Sequence, residues 1–187
     1  DMLPRVALLG ALAIIARSAA GRTVFDAVAL DSMEEIKKSL SDDPSALNTP
    51  GPGGQSPLMN AVLTGKVNAV KYLLRKKADP SIPEKDGYTP MHGAGFQGRS
   101  EIAKLLIAHG LDPSDVHKDG HPPMMRACWG REQRHTETVQ VFLDAGADVK
   151  TMKACLSATP NAETRELVAK AIAKAPPRLR RRQKDEP

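Results

Sequence analysis

One nine-residue opening recurs along this chain at a fixed step of 33 residues. It reads Gly53-Gly54-Gln55-Ser56-Pro57-Leu58-Met59-Asn60-Ala61, then Asp86-Gly87-Tyr88-Thr89-Pro90-Met91-His92-Gly93-Ala94, then Asp119-Gly120-His121-Pro122-Pro123-Met124-Met125-Arg126-Ala127. Each opening is followed at matching distance by an apolar stretch: Ala69–Leu74, Ile102–Ile107 and Val139–Leu143. Each stretch then meets a turn, at Lys77-Ala78-Asp79, Gly110-Leu111-Asp112 and Gly146-Ala147-Asp148. A unit this small cannot bury its apolar side alone, so neighbouring units must stack and share one continuous core.

The residues inside the unit say what it is made of. Proline in the first helical turn gives up no needed N–H, and its φ is already helical. The threonine before Pro90 can cap the helix that begins there. Gly110 and Gly146 stand where a helix must stop and the chain must take a positive φ. The pairs Asp86-Gly87 and Asp119-Gly120 suit a tight hairpin. Each unit is therefore two short antiparallel helices and a projecting finger. The low aromatic content, 3%, fits thin layers of small helices better than one thick core, which leans on Phe, Tyr and Trp for buried area.

With Asp86-Gly87-Tyr88-Thr89-Pro90-Met91-His92 in a 33-residue unit, the chain resembles the ankyrin-repeat family, over about Thr23 to Ala175. The longer string from Asp86 to Val139 also resembles a group of small ankyrin proteins that carry a leader. The resemblance implies an all-α ankyrin-repeat solenoid of stacked helix-turn-helix units with short β-hairpin fingers. It also implies a non-catalytic scaffold or adaptor that binds another protein. We expect a repeat domain over 22–175. An N-terminal cap covers 23–52, three full repeats cover 53–85, 86–118 and 119–151, and a C-terminal cap covers 152–175, with its last helix from about Ala162. The third repeat is longer: Gly110 to Gly146 is 36 residues. The extra residues fall near Gly130-Arg131-Glu132-Gln133-Arg134, between the two helices, and are expected to form a partner-contacting loop.

Modules of this family resemble one another in binding through finger tips and the exposed face of the first helix. At those positions Leu63, Phe96 and Trp129 each lie two residues after the repeated alanine, with Leu156 at the corresponding place in the cap. They form either an apolar ladder on the concave face, of the kind that anchors interfaces, or an extension of the core. Asn60, Gly93 and Arg126 are expected along one flank, Gln55, Tyr88 and His121 at the finger bases, and Arg131 and Arg134 in the insertion.

Outside the repeats, Val6–Ala16 is an unbroken apolar run with Arg5 before it and Ser18-Ala19-Ala20 after it. That is the pattern of a secretory signal, and it is too short for a bilayer span of about 20 residues. Three readings stay open for segment 1–21: a cleaved leader, a retained anchor attaching the chain to a membrane complex, or a helix packed on the stack. A leader would direct the chain to the endomembrane system, an organelle lumen or the outside, and an anchor to a membrane. Asp1 in place of an initiating methionine leads us to expect residues upstream.

The net charge of +5 is uneven, with five basic and two acidic residues in 178–186. The basic tail, 176–187, is read as a solvated end able to touch acidic lipid through Arg178–Lys184; nucleic acid is not the expected partner.

No catalytic motif, cofactor loop or metal site is expected. His117, His121 and His135 lie near Cys128 and Cys155 in sequence but on different parts of the repeat, whereas zinc needs converging ligands. The cysteines occupy equivalent places in successive units, which a helix-packing distance of about 8–10 Å separates. A disulfide needs Cα atoms within about 7 Å, so two free thiols and no disulfide are expected.

Overall fold

The structure, a computed structural model, describes residues 23–176. The leader-like run Val6–Ala16 and the basic stretch Arg178–Lys184 lie outside the described residues. Among the described residues ten α-helices follow one another in five antiparallel pairs. They are α1 (Val24–Ala29) with α2 (Met33–Asp42), α3 (Pro57–Thr64) with α4 (Val67–Arg75), α5 (Pro90–Phe96) with α6 (Ser100–Ala108), α7 (Pro123–Cys128) with α8 (Gln133–Asp144), and α9 (Val149–Ala158) with α10 (Ala162–Lys174). Each odd helix packs on the next odd helix, and each even helix on the next even one. The result is a two-layered helical solenoid. No described helix is long and apolar enough to cross a membrane.

Small residues hold the positions where the inner helices come closest. Ala61, Ala94 and Ala127 hold one register position and are wholly buried. At the next position stand Val62, Gly95 and Cys128. A Cβ on Gly95 would collide with the carbonyl oxygen of Pro123, so glycine is what lets α5 lie against α7. The outer layer supplies the bulk: Val70 and Leu73, Ala103 and Leu106, and Val139 and Phe142 fill equivalent buried positions. Thr138 takes a place held by Ala69 and Ile102 in the other repeats, and its hydroxyl donates to Arg134 O at 2.8 Å.

Helix ends obey local chemistry. Thr23 and Asp26 form a reciprocal capping box on α1, and Ser56 accepts from Met59 N on α3. Gly110 and Gly146 take φ of 87° and 91°, as their places in the repeat require. Lys77, at the corresponding position of the first repeat, takes φ of 65° without that freedom.

The fingers are shorter than expected. Gly51 N, Glu84 N and His117 N each donate across the finger, to Gln55 O, Tyr88 O and His121 O. Gly54, Gly87 and Gly120 close each tip. One cross-bond per finger makes a tight turn, and no strand occurs among the described residues.

Two further expectations are corrected. The extra residues of the third repeat do not make a loop: α8 begins at Gln133 and runs 12 residues, against 9 for α4 and α6. Gln133, Arg134 and His135 form an added helical turn, and His135 Nε2 donates to Phe96 O at 3.2 Å, joining it to the preceding repeat. Cys128 and Cys155 are bonded to each other and are not free thiols. The packing distance that argued against this separates helix axes. Both cysteines point into the interface between α7 and α9, fully buried, and their Cα atoms approach to 5.5 Å.

The close contact at Gly95 is open to test. Helix propensity alone would favour Gly95→Ala by about 1 kcal/mol. Overpacking of a filled interface costs roughly 1–3 kcal/mol, and here the obstacle is backbone. Urea unfolding of Gly95→Ala is expected to show a lower midpoint than the parent; a midpoint that rises would show that the inner helices are not in this contact.

Candidate functional site

The inner helices and the fingers together enclose a groove of about 330 Å³ between the first and second full repeats. Met59 and Leu63 of α3, Gly93 and Phe96 of α5, and Gln97 supply its helical side. Glu84, Asp86 and Tyr88 of the second finger close the other side, with His92 and Arg126 at its deep end. Gly93 keeps the floor low, since a Cβ there would stand 3.2 Å from Leu63 Cδ2 and 3.3 Å from Met59 Sδ. Phe96 remains 60% exposed, an uncommon state for a large apolar ring.

A network of rings and charges fixes the deep end. The guanidinium of Arg126 lies between two rings, 4.7 Å from the centroid of Tyr88 and 4.9 Å from that of Trp129. It also pairs with Asp119 at the tip of the third finger. His117 stacks on the other face of Tyr88 at 3.9 Å and donates from Nε2 to Asp86 O at 3.1 Å. Its Nδ1 stands 3.1 Å from Asp119 Oδ1. His121 meets Trp129 edge-on at 5.1 Å. One residue from each of several layers is thus held by the next, and the fingers are tied together through side chains.

His92 sits beneath this network. Its Nδ1 is 2.8 Å from Thr89 Oγ1, so the threonine hydroxyl serves the histidine ring and makes no cap bond to the helix. Burial pushes its pKa below the ordinary histidine value, and a neutral ring suits a site shared with Arg126 and His117.

The residues singled out in sequence divide into three groups. Leu63, Phe96, Tyr88 and Arg126 are brought together in the groove, with Trp129 against Arg126 and His121 against Trp129. Arg126 is buried, not a free flank residue. Asn60 Nδ2 donates to Gln55 Oε1 at 3.5 Å, a contact between α3 and the first finger outside the groove. Arg134 pairs with Glu132, and the carbonyl of Arg131 accepts from Asn161 Nδ2 at 3.0 Å, both away from the groove. Leu156 is half-buried in α9. Glu84, Asp86, Met59 and Gln97 line the groove and were not singled out in the sequence as partner contacts. Glu84 precedes Asp86 in the finger, but which side of a turn a residue faces is set by the turn and not by the repeat. Among the described residues no cluster of His, Cys, Asp or Glu is placed to hold a metal ion.

Acid tests the finger network. The Arg126 guanidinium holds the Asp119 carboxyl well below the usual carboxylate range, against the opposing effect of burial, with His117 and the His121 N–H assisting. A carboxylate more acidic when folded stabilises the fold above its unfolded pKa, about 3.9, and loses that contribution as the pH falls below it. The melting temperature is expected to drop below about pH 4. In Asp119→Asn it should start lower at neutral pH and depend less steeply on acid. Identical acid profiles for the two proteins would show that Asp119 is not held this way.

The family model described as ankyrin repeats matches this chain in three copies, over residues 24–117 and 58–153. A comparison with curated proteins finds no match.

Proposed function

The chain belongs to the ankyrin-repeat family, and from that premise we propose that it is an adaptor that holds a partner protein in the groove of its inner face. Repeats of this family are generally protein–protein interaction modules and typically non-catalytic. The observation that carries the reading is Phe96, 60% exposed beside a groove whose opposite wall is fixed by the Tyr88–Arg126–Trp129 stack. An aromatic anchor on a rigid, preformed surface is the arrangement that concentrates binding energy.

The buried Cys128–Cys155 disulfide supports an oxidising compartment, since such bonds form and persist outside the reducing cytosol. It agrees with reading Val6–Ala16 as a secretory leader and the chain as a resident of the endomembrane system or a lumen, or as secreted. The same apolar run favours a second reading, in which it is retained and the stack serves as an assembly subunit of a membrane complex. The N-terminal residue of the protein isolated from its source separates the two.

The test of the binding face is a pair of alanine variants. A partner recovered on the intact chain is expected to bind Phe96→Ala and Trp129→Ala at least about tenfold more weakly, the size of an interface anchor. Phe96→Ala should leave the melting temperature unchanged. Unaltered affinity in both variants would place the binding face elsewhere.

A further inference from the structure

We infer that the groove takes an extended segment of a partner protein in which a bulky apolar side chain lies next to a lysine or arginine. This rests on the reading of the inner face as the binding surface and adds the chemistry of what binds.

The apolar half of the argument is the groove wall. Met59, Leu63 and Gly93 form a floor without charge, and Phe96 stands over it with its ring open to solvent. The other rings at this end are already used. Tyr88 has Arg126 on one side and His117 on the other, and Trp129 carries Arg126 and His121. Phe96 has no ring or cation partner of that kind among the described residues. A volume of about 330 Å³ is at the small end of preformed ligand pockets, about 300–1,000 Å³, which suits one large side chain and its neighbour.

The charged half comes from the finger. Glu84 and Asp86 both line the groove, and neither makes an ion pair among the described residues. Glu84 accepts from Asp86 N at 3.1 Å, leaving acceptor capacity on its carboxylate. Asp119 holds the same position one finger later and is neutralised by Arg126. Two cations near the groove are committed elsewhere. Arg126 is committed to Asp119 between two rings. Arg99 lies over Gly65 and donates to Leu63 O at 3.3 Å. Lys85, between the two acids in sequence, is exposed and makes no ion pair with either.

The groove therefore joins an apolar floor to an unneutralised negative edge, although the chain as a whole is positive. An acidic segment or a phosphate backbone would meet repulsion there. A basic one gains attraction at the edge and steering on approach. The apolar residue sets depth, and the cation sets register along the finger.

A displayed library of random peptides, selected on the full chain, is the probe. Enriched peptides are expected to share a large apolar residue next to Lys or Arg. Their affinity should fall at least about tenfold in Phe96→Ala and likewise in the double variant Glu84→Gln/Asp86→Asn, and it should weaken with added salt. Melting temperatures equal to the parent's establish that the variants are folded; Phe96→Ser and Glu84→Ala/Asp86→Ala replace any that is not. Peptides without basic residues, or binding that needs Phe96 but ignores the acid pair, would overturn the chemistry proposed here while leaving the groove as the binding face. Peptides indifferent to Phe96 would overturn both. A library that yields no enriched peptide would overturn the proposal as well.

Discussion

The inner helices of this solenoid approach each other through backbone and methyl groups, and that closeness governs the rest. Gly95 lies under the carbonyl of Pro123, and Ala61, Ala94 and Ala127 repeat the same small contact from layer to layer. Large side chains are thereby excluded from these contact positions and stand elsewhere, at Leu58, Met91 and Met124 of the inner helices and in two further places. Those of the outer helices, Leu73, Leu106 and Phe142, fill the space between the two layers. Those at the ends of the inner helices, Leu63, Phe96 and Trp129, emerge beside the fingers. An apolar lining beside the fingers follows from packing the layers tightly.

Each layer also holds its neighbour by specific contacts. His135 bonds to Phe96 O and Arg99 to Leu63 O, each from one repeat to the one before it, and His117 of the third finger bonds to Asp86 O of the second. At the C-terminal end the pattern changes. The cysteines are 27 residues apart, not 33, because the cap lacks a finger. Having lost the contacts a finger would make, the last layer is joined to the third repeat by a covalent bond. A disulfide enclosing a loop of this length stabilises by roughly 2–4 kcal/mol, a large share of the net stability of a small domain.

Much of this was legible in the sequence because it repeats. The 33-residue step located the inner helices at Pro57, Pro90 and Pro123, the buried outer positions, and the positive φ of Gly110 and Gly146. What escaped was everything that depends on contact between repeats. The disulfide was rejected on an axis-to-axis distance, whereas the relevant distance lies between two residues facing each other across the interface. The insertion of the third repeat falls between two helices, which in sequence suggests a loop, but His135 gains a backbone partner on the preceding repeat if the helix starts a turn earlier. Arg126 reads as a surface residue within its own unit, since one of the rings that enclose it, Tyr88, stands in the preceding finger. Of the groove, Leu63 and Phe96 were found, and Met59 and the two acids were not. Phe96 stands in a register column, but the orientation of Glu84 depends on the fold of a turn.

The account depends on successive units being displaced along one axis as parallel layers, and distances between labels on the outer helices measure that displacement. Lys71, Lys104 and Gln140 are exposed and hold equivalent positions on α4, α6 and α8. With spin labels placed at these sites in pairs, the two adjacent pairs should give similar distances near one helix-packing step, roughly 10 Å. The outer pair should give nearly twice that. An outer distance as short as the adjacent ones would mean that the units close around a common centre, and the stacked architecture, with its inner groove, would be wrong.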